Sequence, residues 1–273
     1  MKIVLVSQVP QAAHGFNEML RGLGHEPVAL LCSREHAGRY GNRFDELVRD
    51  APADLDVLIP ASREHIAPLL RASEPDLVLC LGFPWKIPAA PLAVPRHGWM
   101  NGHPSFLPHY RGPNPVAWAI RSGDREIGFT FHRMDRELDT GALLAQGTIE
   151  LGDEHSWEEL EQKLIDLLGQ LLPRALARID ADDPGDAQDG EGSYQSFFGP
   201  DYVWIDWAEP ADAIYRQVKA WRFASEGGGE RGALAELDGE KVRVLRTSLE
   251  QTAGARAVEA ADGRIWILET EPA

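Results

Sequence analysis

The predicted fold follows from residues 1–32, MKIVLVSQVPQAAHGFNEMLRGLGHEPVALLC. Here two runs rich in Val, Ile and Leu, residues 2–7 and 27–32, flank a helical pattern at residues 15–23. Further strands are predicted at residues 56–60, 76–82, 127–134 and 142–149, with a second helix at residues 63–71. Because buried strands that alternate with helices are typical of βαβ units, the sequence predicts an α/β fold. We expect a Rossmann-like, mostly parallel sheet with helices on both faces.

The composition is that of an ordinary globular protein of 273 residues, 44% hydrophobic, with a formal net charge of −16. No apolar run approaches the roughly 20 residues that a membrane span needs. The first ten residues are predicted to form a strand and not a signal peptide. Cys32 and Cys80 lie in apolar runs and are predicted to be buried free thiols. These features favour a cytoplasmic protein without a membrane partner.

Negative charge is concentrated between residues 151 and 192, where twelve acidic residues are opposed by three basic ones. This stretch carries nine of the sixteen net negative charges. Nucleic-acid binding depends on clustered Lys and Arg side chains that neutralise phosphates. The distribution therefore disfavours a nucleic-acid partner.

The second half of the chain is predicted to contain one long helix, a linker and a small domain. Ser156 and Glu159 have the spacing of a capping box at the start of the helix, and Pro173 is a candidate kink. Residues 180–193 are polar, which is typical of a linker. Short strands are predicted at residues 202–207, 232–237, 241–247, 255–260 and 264–269, with a helix at residues 211–221. The predicted organisation is a first domain (1–180), a linker (181–200) and a small β-rich, open barrel-like C-terminal domain (201–273).

Several common cofactor and metal sites are disfavoured because their motifs are missing. The turn after the first predicted strand, SQVPQAAHG, lacks the glycine spacing that a dinucleotide pyrophosphate requires. The sequence has no Walker loop, no paired-Cys motif and no HExxH. His97, His103 and His109 are spaced by six residues, which suits no common metal site, so no metal is predicted.

Two polar segments have the residue types of an acyl-transfer site. Residues 101–115, NGHPSFLPHYRGPNP, follow an apolar strand, and Asn101 and His103 project from one side if the chain is extended there. The second segment is the acidic turn HRMDRELDTG, residues 132–141. Asn and protonated His can stabilise an oxyanion, and a carboxylate such as Asp139 can hold the His and relay protons from an attacking amine. The alternative is a turn that Asn and Asp side chains merely stabilise.

The sequence resembles the 10-formyltetrahydrofolate-dependent formyltransferase family. The matching motifs are N-x-H-P-S-x-L-P-x-Y-R-G, present as NGHPSFLPHYRG, and D-x-x-L-D-T-G at residues 135–141, preceded by FTFHRMD. The resemblance extends from residue 1 to about residue 179. The family includes methionyl-tRNA formyltransferase, glycinamide ribonucleotide transformylase and amino-sugar N-formyltransferases. The resemblance implies that the first domain is the catalytic domain and that 10-formyltetrahydrofolate is the formyl donor, with no metal.

The resemblance also implies roles for individual residues. Asn101 and His103 would bind and polarise the formyl oxygen, and Asp139 would complete the proton-transfer set. Residues implied to bind the folate are Phe83, Trp85, Lys86, Ile87, Pro88, Asp135 and Asp139. Supporting positions are Ser105, Thr130 and Gly141. Substrate-binding candidates are Ser7, Gln8 and Arg111, although Ser7 and Gln8 fit equally well as groups that only satisfy the end of the first strand.

The resemblance implies transfer of a formyl group to a primary amine by direct attack, because the set contains no activated Ser or Cys. We expect a small-molecule acceptor. Residues 33–56, where the tRNA enzymes carry a basic insertion, contain four Arg but six acidic residues, and the tail is acidic. Methionyl-tRNA formyltransferase is the alternative, since residues 204–207 and 211–221 resemble the start of its C-terminal barrel, although RFASEGGGERG (222–232) diverges. A 10-formyltetrahydrofolate hydrolase and a non-enzymatic folate-binding module remain further alternatives, and the sequence assigns no oligomeric state.

Overall fold

Two β-sheets organise the chain in a computed structural model that describes residues 1–35, 44–152, 156–224 and 232–273. The described strands are β1 (Lys2–Ser7), β2 (Glu26–Leu31), β3 (Asp56–Leu58), β4 (Leu77–Leu81), β5 (Trp99–His103), β6 (Glu126–Arg133), β7 (Leu143–Glu150), β8 (Ala233–Leu237), β9 (Glu240–Ser248), β10 (Arg256–Ala260) and β11 (Gly263–Pro272). The described helices are α1 (Pro10–Gly22), α2 (Phe44–Arg49), α3 (Ile66–Ser73), α4 (Ala89–Leu92), α5 (Pro115–Ser122), α6 (Trp157–Asp180) and α7 (Ala211–Phe223). The stretches 33–56 and 222–232 lie partly outside the described residues.

The first sheet has seven strands in the order β3-β2-β1-β4-β5-β6-β7. The first five are parallel, and β6 and β7 add to β5 as an antiparallel edge. The strand order reverses at β1, and ligands of such folds bind outside the carboxyl ends of the strands near this switch point. The predicted Rossmann-like, mostly parallel sheet is therefore confirmed, with an antiparallel pair at its edge.

Alternation along β1 shows why its sequence is almost continuously apolar. Ile3 and Leu5 belong to the core on one face of the sheet, where α1 packs, whereas Val4 and Val6 belong to the core on the other face, where α3 packs. Successive side chains of a strand point to opposite faces. Since helices cover both faces, both sets of side chains are buried.

Helix α6 begins with the predicted capping box. The Ser156 hydroxyl oxygen accepts from the Glu159 amide at 3.1 Å, and the Glu159 carboxylate accepts from the Ser156 amide at 3.0 Å. Pro173 lies inside the helix, which continues to Asp180. Among the described residues, no helix is both long enough and apolar enough to span a membrane.

The C-terminal part forms a four-stranded antiparallel sheet in the order β10-β11-β9-β8, which confirms the predicted β-rich tail. Ile214 and Val218 of α7 pack on this sheet, while Ala220 and Phe223 of the same helix join the core of the first sheet. The predicted strand at residues 202–207 is wrong. Residues Pro200–Val203 form a 3-10 turn, and Trp204 makes only an isolated bridge to Leu234. Proline at the start of this stretch favours the turn.

The stretch predicted as a linker is bound to the first sheet along much of its length. Asp186 forms a bridge with Leu143, Tyr194 forms a bridge with Arg111, and Phe198 is buried in the core. A polar composition predicts connecting chain, but it does not distinguish a free tether from a segment that follows the surface. The domain boundaries at residues 180 and 200 stay predictions.

Candidate functional site

Strand β5 and the turn between β6 and β7 provide the three predicted catalytic residues. Asn101 and His103 lie at the carboxyl end of β5, two residues apart, and Asp139 lies in the turn. The antiparallel pairing of β5 with β6 sets Asn101 opposite His132. A strand end followed by a polar loop is where α/β folds carry reactive side chains, because the backbone there is fixed by the sheet.

Three side chains converge on one carboxylate oxygen. Oδ1 of Asp139 lies 3.4 Å from Asn101 Nδ2, 3.7 Å from His103 Nδ1 and 3.6 Å from His132 Nε2. Both histidines are buried. The structure therefore brings Asn101, His103 and Asp139 together at one point, and it adds His132 to them.

His132 orients the amide of Asn101. Its Nδ1–H donates to the carbonyl oxygen of Arg133 at 2.8 Å, so a neutral ring has an acceptor at Nε2. Asn101 Nδ2 donates to that acceptor at 3.1 Å. The amide NH₂ of Asn101 is thus directed toward His132 and Asp139. The sequence contains His132 within a motif but indicates no role for it, because its position opposite Asn101 depends on the pairing of two strands.

His103 is held in one tautomer by the loop that follows it. Its Nε2–H donates to the carbonyl oxygen of Tyr110 at 2.9 Å, which leaves Nδ1 facing Asp139. Burial lowers the pKa of His103, and the nearby His132 ring adds to this, while Asp139 and the Tyr110 carbonyl oppose it. The imidazole is therefore neutral near pH 7, with its lone pair at Nδ1.

Asp139 is ionised throughout the ordinary pH range. Burial by itself raises the pKa of its carboxyl group, but His103, His132 and the amide of Gly112 together lower it to about 2. The Gly112 amide donates to Oδ2 at 2.8 Å. Asp139 has a φ of +57°, in the left-handed region that Asp tolerates better than most residues.

The predicted supporting residues fix the backbone around this group. Thr130 Oγ1 donates to the Ser105 carbonyl oxygen at 2.7 Å, and Ser105 Oγ donates to the His109 carbonyl oxygen at 2.7 Å. Both side chains are buried. At Gly141 a Cβ atom would lie 1.8 Å from the Arg133 carbonyl oxygen, so the turn admits only glycine there. These contacts hold the β5 loop and the β6–β7 turn in place.

Comparison with known proteins matches the sequence of the chain to one family. The model of the formyl transferase family matches residues 23–176, more than half of the chain. The chain is 35% identical over 221 residues to methionyl-tRNA formyltransferase of Burkholderia multivorans, which covers 80% of this chain.

The chain belongs to the formyl transferase family. It spans 60% of the length of the Burkholderia relative. Among solved structures, a sugar N-formyltransferase from a Shewanella species superposes with a TM-score of 0.67 at 19% identity, over 92% of this chain and 99% of that one. HypX from Aquifex aeolicus, solved with tetrahydrofolic acid, gives a TM-score of 0.61 at 18% identity, over 99% of this chain and 44% of that one. These two likenesses show a shared fold.

The residues implied to bind the folate lie on the loop after β4 and on the β6–β7 turn. Trp85 and Ile87 are buried, and the Phe83 ring packs edge-on against the Trp85 ring, with 5.4 Å between the ring centroids. Trp85 Nε1 donates to the Glu35 carboxylate. Lys86 Nζ lies 2.9 Å from the Glu137 carboxylate, so the loop and the turn are joined.

Asp135 orders the turn that carries Asp139. Its Oδ1 accepts from the Glu137 amide at 2.9 Å and from the Thr140 hydroxyl at 2.8 Å. Asp135 is exposed at the same turn where Lys86 of the β4 loop makes its ion pair. The β4 loop is therefore in direct contact with the turn that carries Asp139.

The three substrate-binding candidates have partners within the chain itself. Ser7 Oγ accepts from the Val9 amide at 3.1 Å, and the Gln8 amide bonds the Ser33 hydroxyl at 2.7 Å. Ser7 lies two strands from Asn101, since β1 pairs with β4 and β4 pairs with β5. The Arg111 guanidinium bonds Gln188, which in turn bonds the β6–β7 turn. Arg111 thus lies beside the catalytic group, whereas Ser7 and Gln8 stabilise the loops after β1 and β2.

Within the described parts of the chain, no three His, Cys, Asp or Glu side chains form a group that could hold a metal ion.

Proposed function

We propose that this chain transfers a formyl group from 10-formyltetrahydrofolate to the primary amine of a small-molecule acceptor. The observation that carries the proposal is the convergence of Asn101 and His103 on the Asp139 carboxylate, whose Oδ1 lies 3.4 Å from Asn101 Nδ2 and 3.7 Å from His103 Nδ1. An amide donor, a neutral imidazole and an ionised carboxylate at one point suit attack by an amine on a carbonyl carbon. Membership of the formyl transferase family supports the same reaction.

The residues beside the catalytic group fit a folate. Phe83 is half-buried on the β4 loop and packs against the buried Trp85 and Ile87, which makes an apolar, partly aromatic wall that suits a flat heteroaromatic ring. The ion pair of Lys86 with Glu137 joins this surface to the turn that carries Asp139. A ring bound there would present its formyl group to the catalytic side chains. The folate complex of a protein with the same fold supports this choice of donor.

The first step is attack of the neutral amine on the formyl carbon, which forms the new C–N bond and turns the formyl oxygen into an oxyanion. One hydrogen of Asn101 Nδ2 donates to His132 Nε2 at 3.1 Å and fixes the amide, and the other leaves its long contact of 3.4 Å with Asp139 Oδ1 to donate to the formyl oxygen. Donors fixed in advance stabilise developing charge without reorganisation when the reaction occurs.

The second step moves one proton. His103 Nδ1 carries a lone pair before attack and takes the proton that the attacking nitrogen must lose. The resulting imidazolium lies between the Asp139 carboxylate and the Tyr110 carbonyl oxygen, both of which stabilise its charge. The same proton then passes to N10 of the folate as the bond from the formyl carbon to N10 breaks. The products are the formylated amine and tetrahydrofolate.

Charge supports a small acceptor. Nine of the sixteen net negative charges lie in residues 151–192, and a surface of this sign repels the phosphates of tRNA. The second candidate acceptor is methionyl-tRNA. It is favoured by the identity to a methionyl-tRNA formyltransferase over 80% of this chain.

The test combines the purified protein with 10-formyltetrahydrofolate and either a panel of amino sugars and other small primary amines or charged methionyl-tRNA, and follows the product masses. We expect a mass gain of one formyl group on a small amine, at a rate that depends weakly on salt. Formylation of the tRNA with a steep loss of activity as salt rises would establish the second candidate. Formate release without an amine would indicate a hydrolase, and folate binding without turnover would indicate a binding module.

A further inference from the structure

Residues 183–195, which we call the crossing segment, pass over both catalytic loops. At one end the backbones of Asp186 and Leu143 exchange two hydrogen bonds of 2.7 and 2.9 Å, beside the β6–β7 turn. At the other end the Arg111 amide donates to the Ser193 carbonyl oxygen at 2.9 Å, and the Gln195 amide donates to the Arg111 carbonyl oxygen at 2.8 Å. The crossing segment is therefore anchored to the loop after β5 and to the start of β7.

Gln188 lies between these anchors, and both the oxygen and the nitrogen of its carboxamide form hydrogen bonds. Its Oε1 accepts from Arg111 Nε at 3.2 Å and from Arg111 Nη2 at 2.7 Å. Its Nε2 donates to the carbonyl oxygens of Asp139 at 2.9 Å and Gly141 at 2.8 Å. A carboxamide offers two acceptor sites and two donors, so all four are occupied.

These bonds close a ring around the catalytic carboxylate. Gln188 bonds the backbone of Asp139 on one side and the side chain of Arg111 on the other. Arg111 precedes Gly112, whose amide donates to the Asp139 carboxylate at 2.8 Å. Each side of the Gly112–Asp139 hydrogen bond is thus tied to the same carboxamide. Because the Asp139 backbone is in the left-handed region, it needs such external contacts to persist.

We propose that Gln188 is a positioning residue that holds the Asp139 carboxylate against His103. The proposal deepens the proposed formyl transfer and rests on it for its kinetic consequence. Gln188 is only half-buried and its neighbours in the crossing segment are exposed, so the core does not fix the turn in its place. Displacement of a catalytic group by about 1 Å typically costs on the order of a hundredfold in rate.

The test replaces Gln188 with Met, which has a similar length and none of the four hydrogen bonds. We expect kcat to fall on the order of a hundredfold while KM for the amine changes little, because the side chain acts through Asp139. The matched control is Asp186→Asn, a change in the same segment that weakens an ion pair with Arg178 and spares Gln188. The control should keep the wild-type kcat.

A second measurement does not depend on formyl transfer. NMR titration of the His103 ring reports the charges that face it, which are Asp139 and His132. Since the Asp139 carboxylate raises the pKa of His103, its movement away in Gln188→Met should lower that pKa, whereas Asp186→Asn should leave it unchanged. If the wild-type protein transfers no formyl group, the proposed function fails while this titration still tests the role of Gln188.

Gln188→Asn covers the case in which the Met variant does not fold. Its shorter side chain reaches either Arg111 or the turn, so we expect a loss of kcat and a fall of the His103 pKa, both smaller than for Met. A variant at position 188 that is folded, has the wild-type kcat and leaves the His103 titration unchanged would overturn the proposal.

Discussion

The backbone amide of Gly112 donates a 2.8 Å hydrogen bond to the carboxylate of Asp139, which lies 27 positions further along the chain. This bond joins the loop after β5 to the β6–β7 turn, the segment that carries Asp139. Gly112 has a φ of +107°, and a Cβ atom there would lie 2.3 Å from the Gln195 carbonyl oxygen. The donor is therefore fixed by a backbone conformation that only glycine adopts without strain.

Asp139→Asn tests the need for a negative charge at this position. The amide oxygen of Asn can still accept the Gly112 hydrogen bond, so the variant should fold. It cannot stabilise the imidazolium that His103 becomes, and we expect kcat to fall by about a hundred- to a thousandfold. Steady-state formyl transfer, with unfolding followed in parallel, measures both effects.

The matched control for this change is Asp238→Asn in the C-terminal sheet. Asp238 is exposed and pairs with Arg256, a contact that contributes little to stability at the surface. The Asp238→Asn variant should retain the wild-type kcat. A similar rate for Asp139→Asn and Asp238→Asn would contradict the role of Asp139.

His103 gives the free energy of unfolding a defined pH dependence. Burial lowers the pKa of His103 in the native state below its ordinary value of about 6.5. As the pH falls below about 6.5, the unfolded chain takes up a proton that the native state does not, so stability falls until the lowered native pKa is reached. At neutral pH, above both values, this loss is absent.

His103→Gln removes that dependence and can keep a hydrogen bond to the Tyr110 carbonyl oxygen. Denaturant unfolding between pH 7.5 and 5 should show a smaller loss of stability for the variant, with a difference in slope of up to about 1.4 kcal/mol per pH unit. Parallel curves for the two proteins would refute the assignment of a neutral, buried imidazole.

The two-residue spacing of Asn101 and His103 was enough to predict that they share one side of a strand, and the motif at residues 135–141 located Asp139. The same patterns do not predict the hydrogen-bond partners of these residues. His132 meets Asn101 because β6 runs antiparallel to β5, and Gln188 meets Asp139 across 49 positions of sequence. Local spacing contains no information on either contact, since both arise only when distant segments pack.

Gly141→Ala tests the close approach within the β6–β7 turn. The added Cβ would lie 1.8 Å from the Arg133 carbonyl oxygen, so the turn must open and Asp139 must move. We expect a loss of about 1–3 kcal/mol in the free energy of unfolding, with a fall in kcat. Thermal denaturation measures the loss of stability, and steady-state kinetics measure the fall in kcat.

Gly15→Ala is the control for that substitution. Gly15 lies inside α1, and nothing lies within 4 Å of the position that its Cβ would take. Alanine has the higher helix propensity, so this variant should gain up to about 1 kcal/mol and keep its activity. Equal stability changes for the two variants would show that the turn tolerates a side chain.

Phe83→Ala tests the surface assigned to the folate ring. The Phe83 ring packs edge-on against Trp85 on the β4 loop, with 5.4 Å between the ring centroids. The proposed reacting groups lie on β5 and the β6–β7 turn. Loss of the ring removes the proposed stacking on the donor, an aromatic contact worth about 0.5–1.5 kcal/mol, so KM for 10-formyltetrahydrofolate should rise up to about tenfold while kcat stays near its wild-type value. Phe197→Ala, at an exposed ring elsewhere on the chain, should change neither constant. A fall in kcat at an unchanged KM for the donor would place Phe83 with the reacting groups and remove the β4 loop as the folate-binding surface.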